Sequence, residues 1–440
     1  MIPEICPRII TPYILNSLAT ILYGWIYIMK GVILIKKTVT VVDARMGRGK
    51  TSAAIRYMKE NCSDRRFIFV TPYLSEVERI CESCGFEEPV DDLSTKSINL
   101  KHKMHKGCNL AITHALFGLM DIEALELARE NHYSLIIDES INIIEKIQTS
   151  AKDFNIILEN LTTEDEIGRL VWKDPEYQGR FEDYKELSSQ GTLFRLDSAL
   201  LNITNPDIFT MFEEVIMLTY LFSGQTQKAY LDYFEIPYRI VGVEKDDLGF
   251  KFSDEPDKPE PIDLSYLINI ITKPKMNHPF RGRYSLSKNW FSNRDSSDDD
   301  IKLLRRYLNT FFSSTTKSTS DSRIWTCFKD DYSKIVGPKR RYASSFLPMN
   351  IRATNEYREA TAVAYLVNRF LDPNLMKFFA ARGIMIDHDQ FALTEMIQFI
   401  WRSAIRDNKP IDLYIPSDRM RNLLIDWMNS INSEGEPVNE

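Results

Sequence analysis

The segment Ala44-Arg-Met-Gly-Arg-Gly-Lys50-Thr51 constrains this chain more than any other, because it joins a β-branched run, TVTVVDA (38–44), to a helical one, SAAIRYMKE. A strand that turns through glycines straight into a helix aims successive backbone N–H groups at one point, and the helix dipole adds positive potential there. Gly47 and Gly49 allow close backbone approach to an anion. Lys50 is placed to reach β- and γ-phosphates, and the Thr51 hydroxyl to help hold Mg²⁺. The expected cofactors are therefore ATP and Mg²⁺, cradled by Ala44, Arg45, Met46, Gly47, Arg48, Gly49, Lys50, Thr51 and Ser52. A chance glycine-rich turn is the alternative, and the strand–loop–helix context weighs against it.

A second signal lies in LIIDES, an apolar strand that ends on Asp138-Glu139. Alone, such an ending is usually a strand meeting solvent. Downstream of a phosphate loop, with two strands between, Asp138 reads as a water-mediated Mg²⁺ ligand and Glu139 as the group that polarises the attacking water.

The 440 residues suit two or three domains, and 44% hydrophobic with 27% charged residues is a globular balance. A net charge of −7 provides no bulk field for nucleic acid, so such a partner needs local basic patches. Six scattered cysteines fit a reducing, cytoplasmic setting. Short strands at 38–44, 66–72, 109–114, 134–139 and 215–221 alternate with helical stretches, which predicts an α/β fold with parallel sheets. Further strands are expected at 323–329 and 410–416.

The expected division has four parts: an apolar extension (1–29), a nucleotide-binding lobe (30–230), a linker (231–262) and a second lobe (263–440). The first lobe carries a helical insertion over 141–214. The uncharged run from Ile9 to Met29 is long enough to span a bilayer. It reads as an extension ahead of a domain that starts near Met29, with a membrane anchor or a core helix as alternatives.

These motifs resemble superfamily 2 helicases from about residue 38 to about residue 430. That resemblance implies two RecA-like lobes closing on ATP, with nucleic acid crossing both. Thr71-Pro72 and Thr113-His114 resemble strand-contacting motifs of the first lobe, as Thr354-Asn355 within RATNEY does in the second. Leu218-Thr219-Tyr220 resembles the motif that couples hydrolysis to lobe movement. Gln398-Phe-Ile-Trp-Arg402-Ser-Ala-Ile-Arg406 resembles the motif whose Gln and arginines reach the γ-phosphate from the opposite lobe. Trp401 stands where a glycine is usual, and Arg406 lies one position late; on a helix the two arginines would share a face. A solvated arginine pair is the bland alternative. The second-lobe run is similar to phage-encoded replication helicases, which favours DNA over RNA and allows replication proteins as partners. Rival functions are a terminase-type packaging ATPase and an ATP-switched origin-binding protein. The first needs clustered nuclease carboxylates, and Asp387 with Asp389 are too few.

Two weaker patterns remain. Cys81, Cys84, His102, His105 and Cys108 have zinc-ligand chemistry, but a helix end followed by a basic loop explains them better. KPKMNHPFRGRYSLSKNWF (273–291) interleaves cations with aromatic rings, as single-strand binding surfaces do, and its rings could equally be core.

Overall fold

A computed structural model of the chain describes residues 37–91, 95–141, 143–197, 199–257, 263–349 and 357–433. The apolar run before Met29 lies outside these residues, as do Thr354 and Asn355.

The first lobe opens with four strands at the predicted places: β1 (Val39–Asp43), β2 (Arg66–Thr71), β3 (Leu110–Thr113) and β4 (Tyr133–Asp138). The insertion follows. It holds the helices Ala151–Ile156 and Glu182–Ser189, and adds five short strands. These are β5 (Ile144–Ile147), β6 (Thr162–Glu164), β7 (Leu170–Trp172), β8 (Leu193–Leu196) and β9 (Ala199–Ile203). They form antiparallel sheets, β5-β9-β8 and β6-β7, over a small core that includes Phe154, Ile157 and Trp172. The main sheet then resumes with β10 (Val215–Thr219) and β11 (Tyr238–Val241).

That sheet has the order β11-β1-β10-β4-β2-β3, and every pairing in it is parallel. Helices cover both faces, so Val41, Ile68, Ile136 and Ile137 are fully buried and the strands read as unbroken apolar runs. All six C-terminal ends lie along one edge, where parallel sheets collect ligands. The helix α1 (Lys50–Asn61) starts from that edge and buries Ala53, Ala54 and Met58.

The stretch expected to link the lobes is built differently. It opens with the end of the helix Thr226–Tyr233, continues as β11, the sheet's edge strand, and then forms an antiparallel hairpin of β12 (Val243–Asp246) and β13 (Gly249–Phe252). The helical period is missing there because the period is two: Phe250 and Phe252 alternate onto one side and pack on the core beneath α1.

The second lobe is a four-stranded parallel sheet, β14 (Ile268–Ile270), β15 (Arg323–Thr326), β16 (Ala362–Tyr365) and β17 (Ile411–Tyr414), in the order β14-β17-β16-β15. Among its helices are α2 (Pro373–Ala380), α3 (His388–Ile400) and α4 (Asp418–Ser433). The fold class is thus α/β with two parallel-sheet lobes.

Thr38–Glu440 is one compact unit, so the lobes are packed together. At Gly224 the approach is so close that an added Cβ would lie 2.7 Å from the Gln390 carbonyl carbon in α3. Phe378 and Phe379 of α2 sit in the first lobe's core, where Phe378 stacks on Tyr233 at 4.5 Å. Among the described residues no helix is long and apolar enough to cross a membrane.

Candidate nucleotide site and interlobe cleft

The C-terminal ends of β1 and β4 bring the two sequence signals together. Gly47 and Gly49 both adopt φ of +80°, a left-handed conformation that costs glycine little and curls the loop ahead of α1. Lys50 Nζ donates to the carbonyl oxygens of Ala44 and Arg45, the second at 3.2 Å. Thr51 Oγ1 donates to Asp138 Oδ2 at 3.4 Å across 87 residues of sequence. Burial, then the charges of Glu139 and Glu76, push the Asp138 carboxyl up to about 7, against the pull of Lys50. Burial in turn lowers the Lys50 ammonium, which the Asp138 charge opposes. A hydroxyl, a buried carboxyl short of positive charge and a lysine at the loop's mouth fit a divalent cation bound with a phosphate chain.

Glu139 has φ of +63°, a strained conformation for a side chain of its size. Its N–H is held by the Leu218 carbonyl at 3.0 Å, and Oε1 accepts the Tyr73 hydroxyl at 3.0 Å. Tyr73 follows Thr71-Pro72 directly and was not singled out by sequence. Burial raises its hydroxyl, the Glu139 charge adds to that, and the Arg402 and Arg406 charges oppose it. Both second-lobe arginines therefore act electrostatically on first-lobe Tyr73. They do not share a helix face as expected: α3 ends at Ile400, and Arg406 lies in a separate 3₁₀ turn, Ala404–Asp407. Arg402 donates to the Met349 carbonyl at 3.0 Å and, with Gln398 and Glu139, lines an interlobe cavity of about 1490 Å³.

Thr71 is fully buried, and its hydroxyl accepts the Tyr73 N–H at 3.4 Å. Pro72 is half-buried beside it. Thr113 caps the turn His114–Phe117, and buried His114 bonds the Asp138 carbonyl at 2.8 Å. These residues tie the strand ends to the acidic pair. The basic–aromatic stretch divides: Phe280 and Phe291 are core, whereas Arg283, Tyr284 and Lys288 line the cavity. Among the described residues no three His, Cys, Asp or Glu side chains gather as a metal-holding group.

Asp43, also missed by sequence, closes β1. Its Oδ2 accepts the Phe222 N–H at 3.1 Å, which fastens the phosphate strand to the turn that carries Gly224. Beside that turn, the Tyr220 hydroxyl accepts Trp427 Nε1 of α4 at 3.1 Å.

Sequence comparison places the chain among known proteins. It is 36% identical over 411 residues to the "SPbeta prophage-derived uncharacterized protein YonV" of Bacillus subtilis (strain 168), covering 89% of this chain and 99% of that protein. The chain belongs to the YonV family. A family model described as the YonV C-terminal Rossmann-like domain matches residues 262–428, the four-stranded second lobe. Among solved structures, this YonV-family chain overlaps "Structure of Mss116p (NTE and C-tail double deletion) bound to ssRNA and AMP-PNP". That overlap has 13% identity and a TM-score of 0.37, covering 91% of this chain and 70% of the other.

Proposed function

We propose that this YonV-family chain is an ATP-dependent helicase or translocase, acting on DNA in phage replication. One observation carries the reading. The phosphate loop meets Asp138 and Glu139 on one lobe, while Gln398 and Arg402 of the other line the same cleft as Glu139. A phosphoryl transfer needs positive charge on both sides of the transferred group, and a second lobe that supplies one side links hydrolysis to its own movement.

In this reading Lys50 holds the β- and γ-phosphates, and Thr51 and Asp138 hold Mg²⁺, which when bound neutralises developing charge on the phosphate oxygens. Glu139, oriented by Tyr73, takes the proton of the attacking water. Arg402 and Arg406 supply the opposing cation, because guanidinium stays protonated and presents a rigid fork of donors. The cavity wall of Arg283, Tyr284 and Lys288 offers cations and a ring face suited to a single strand. DNA is preferred to RNA as the substrate because the second-lobe motif run resembles phage-encoded replication helicases.

The test is ATP hydrolysis measured with single-stranded DNA, duplex DNA and RNA, paired with strand displacement on tailed duplexes. Stimulation by single-stranded DNA is expected. Hydrolysis indifferent to every nucleic acid would instead favour an ATP-switched binding protein.

A further inference from the structure

The phosphate loop has a neighbour that the motifs leave out. In the sheet order β11-β1-β10-β4, the strand bearing Asp138 lies to one side of β1 and β11 to the other. On the nucleotide-binding reading, a triphosphate whose terminal phosphate is directed toward Asp138 and Glu139 sends its nucleoside toward β11. There β11 runs on into the β12–β13 hairpin.

This hairpin is fastened to the loop. The Phe250 ring lies against Gly49, where an added Cβ would come within 2.4 Å of Cδ2. Arg48 pairs with Asp257 at 3.5 Å, and the Asp257 side chain is only 6% exposed. Arg56 of α1 pairs with Asp246 at 2.7 Å. The hairpin's base closes where Gly242 N–H donates to the Glu255 carbonyl at 2.7 Å. Phe252 is engaged with Tyr57, their ring centroids 5.5 Å apart, whereas half-buried Phe250 is the ring at the loop, with the Lys245 ammonium 5.8 Å from its centroid.

We propose that the β12–β13 hairpin is the nucleoside-binding element of this site, with Phe250 as the platform on which the base stacks. The inference rests on the nucleotide-binding reading above and assigns it a specificity-determining residue. Aromatic faces hold bases through stacking, and the pairs Arg48–Asp257 and Arg56–Asp246 keep this one in place.

The experiment uses the full chain and a fluorescent N-methylanthraniloyl ATP, displaced in turn by ATP and by inorganic tripolyphosphate. Phe250→Leu keeps apolar packing on Gly49 but removes the ring, so ATP affinity should fall about tenfold while tripolyphosphate affinity holds. Phe250→Trp should restore ATP binding. If ATP affinity in Phe250→Leu stays within about twofold of wild type, the proposal is overturned. It is equally overturned if ATP and tripolyphosphate weaken together, since the hairpin would then only shape the loop. Lys50→Ala separates the two readings: it should lose both ligands. A wild-type chain that binds neither removes the nucleotide reading itself.

Discussion

At the scale of single residues, the site concentrates charge that the fold does not fully compensate. Burial and the Glu139 charge raise the Asp138 carboxyl, and Lys50 is bonded to uncharged carbonyls. Lys50→Ala should therefore abolish hydrolysis without unfolding the chain; wild-type turnover in a folded variant would exclude the phosphate-loop role. Glu139→Gln keeps the side-chain shape but cannot take a proton, so ATP should bind while turnover stalls. Loss of binding there would mean that the strained backbone at Glu139 matters more than its carboxylate. Arg402→Ala and Arg406→Ala should each lower turnover by about 10³–10⁵, with a much smaller change in ATP affinity. If both variants kept more than about a tenth of normal turnover, a barrier change of only ~1.4 kcal/mol, the arginines would be structural.

At the scale of elements, the turn Phe222–Gly224 stands between Asp43 of β1 and Gln390 of α3. Gly224→Ala must displace one backbone from another, a cost of about 1–3 kcal/mol. We expect a lower melting temperature and a loss of nucleic-acid stimulation greater than the loss of basal hydrolysis; equal losses would remove the turn from the coupling path. The strands that frame the candidate nucleotide site were legible because parallel strands buried on both faces leave runs such as RFIFV and SLIID. By contrast, β14, β16 and β11 were missed. AVAYLV is apolar without a period, β14 is three residues long, and β11 (YRIV) is an edge strand with two exposed residues and no apolar run. The hairpin had a signal, the DDLG turn between VEK and FKF, that a search for helical periodicity passes over. Asp43 and Tyr73 left no pattern at all, since their roles arise from contacts to Phe222 and Glu139, distant in sequence. The strand–loop–helix and the acidic strand end were readable as local patterns, and the Thr51–Asp138 hydrogen bond brings them together; the arginines' separation onto a turn beyond α3 was not readable.

At the scale of the whole molecule, α2 belongs to one lobe by sequence and to the other by packing. Phe379 is fully buried and Phe378 nearly so in the first lobe's core, with Arg382 over the Tyr233 ring at 4.6 Å and Lys377 paired to Asp197. Phe379→Ala should cost about 3–5 kcal/mol, read by denaturant unfolding. Two separate unfolding transitions in that variant, against one in the wild type, are expected if this helix makes the lobes cooperate; a single unshifted transition would contradict it. The same helix governs how the chain can be cut. The matched region 262–428 looks like a portable module, yet expressed alone it would present Phe378 and Phe379 to water, a self-adhesive patch that invites aggregation. Adding back the first lobe should solubilise it. Recombination that swaps second lobes between relatives must therefore carry the matching socket around Phe194 and Tyr233 along with them, which binds the two halves of the gene to a shared inheritance.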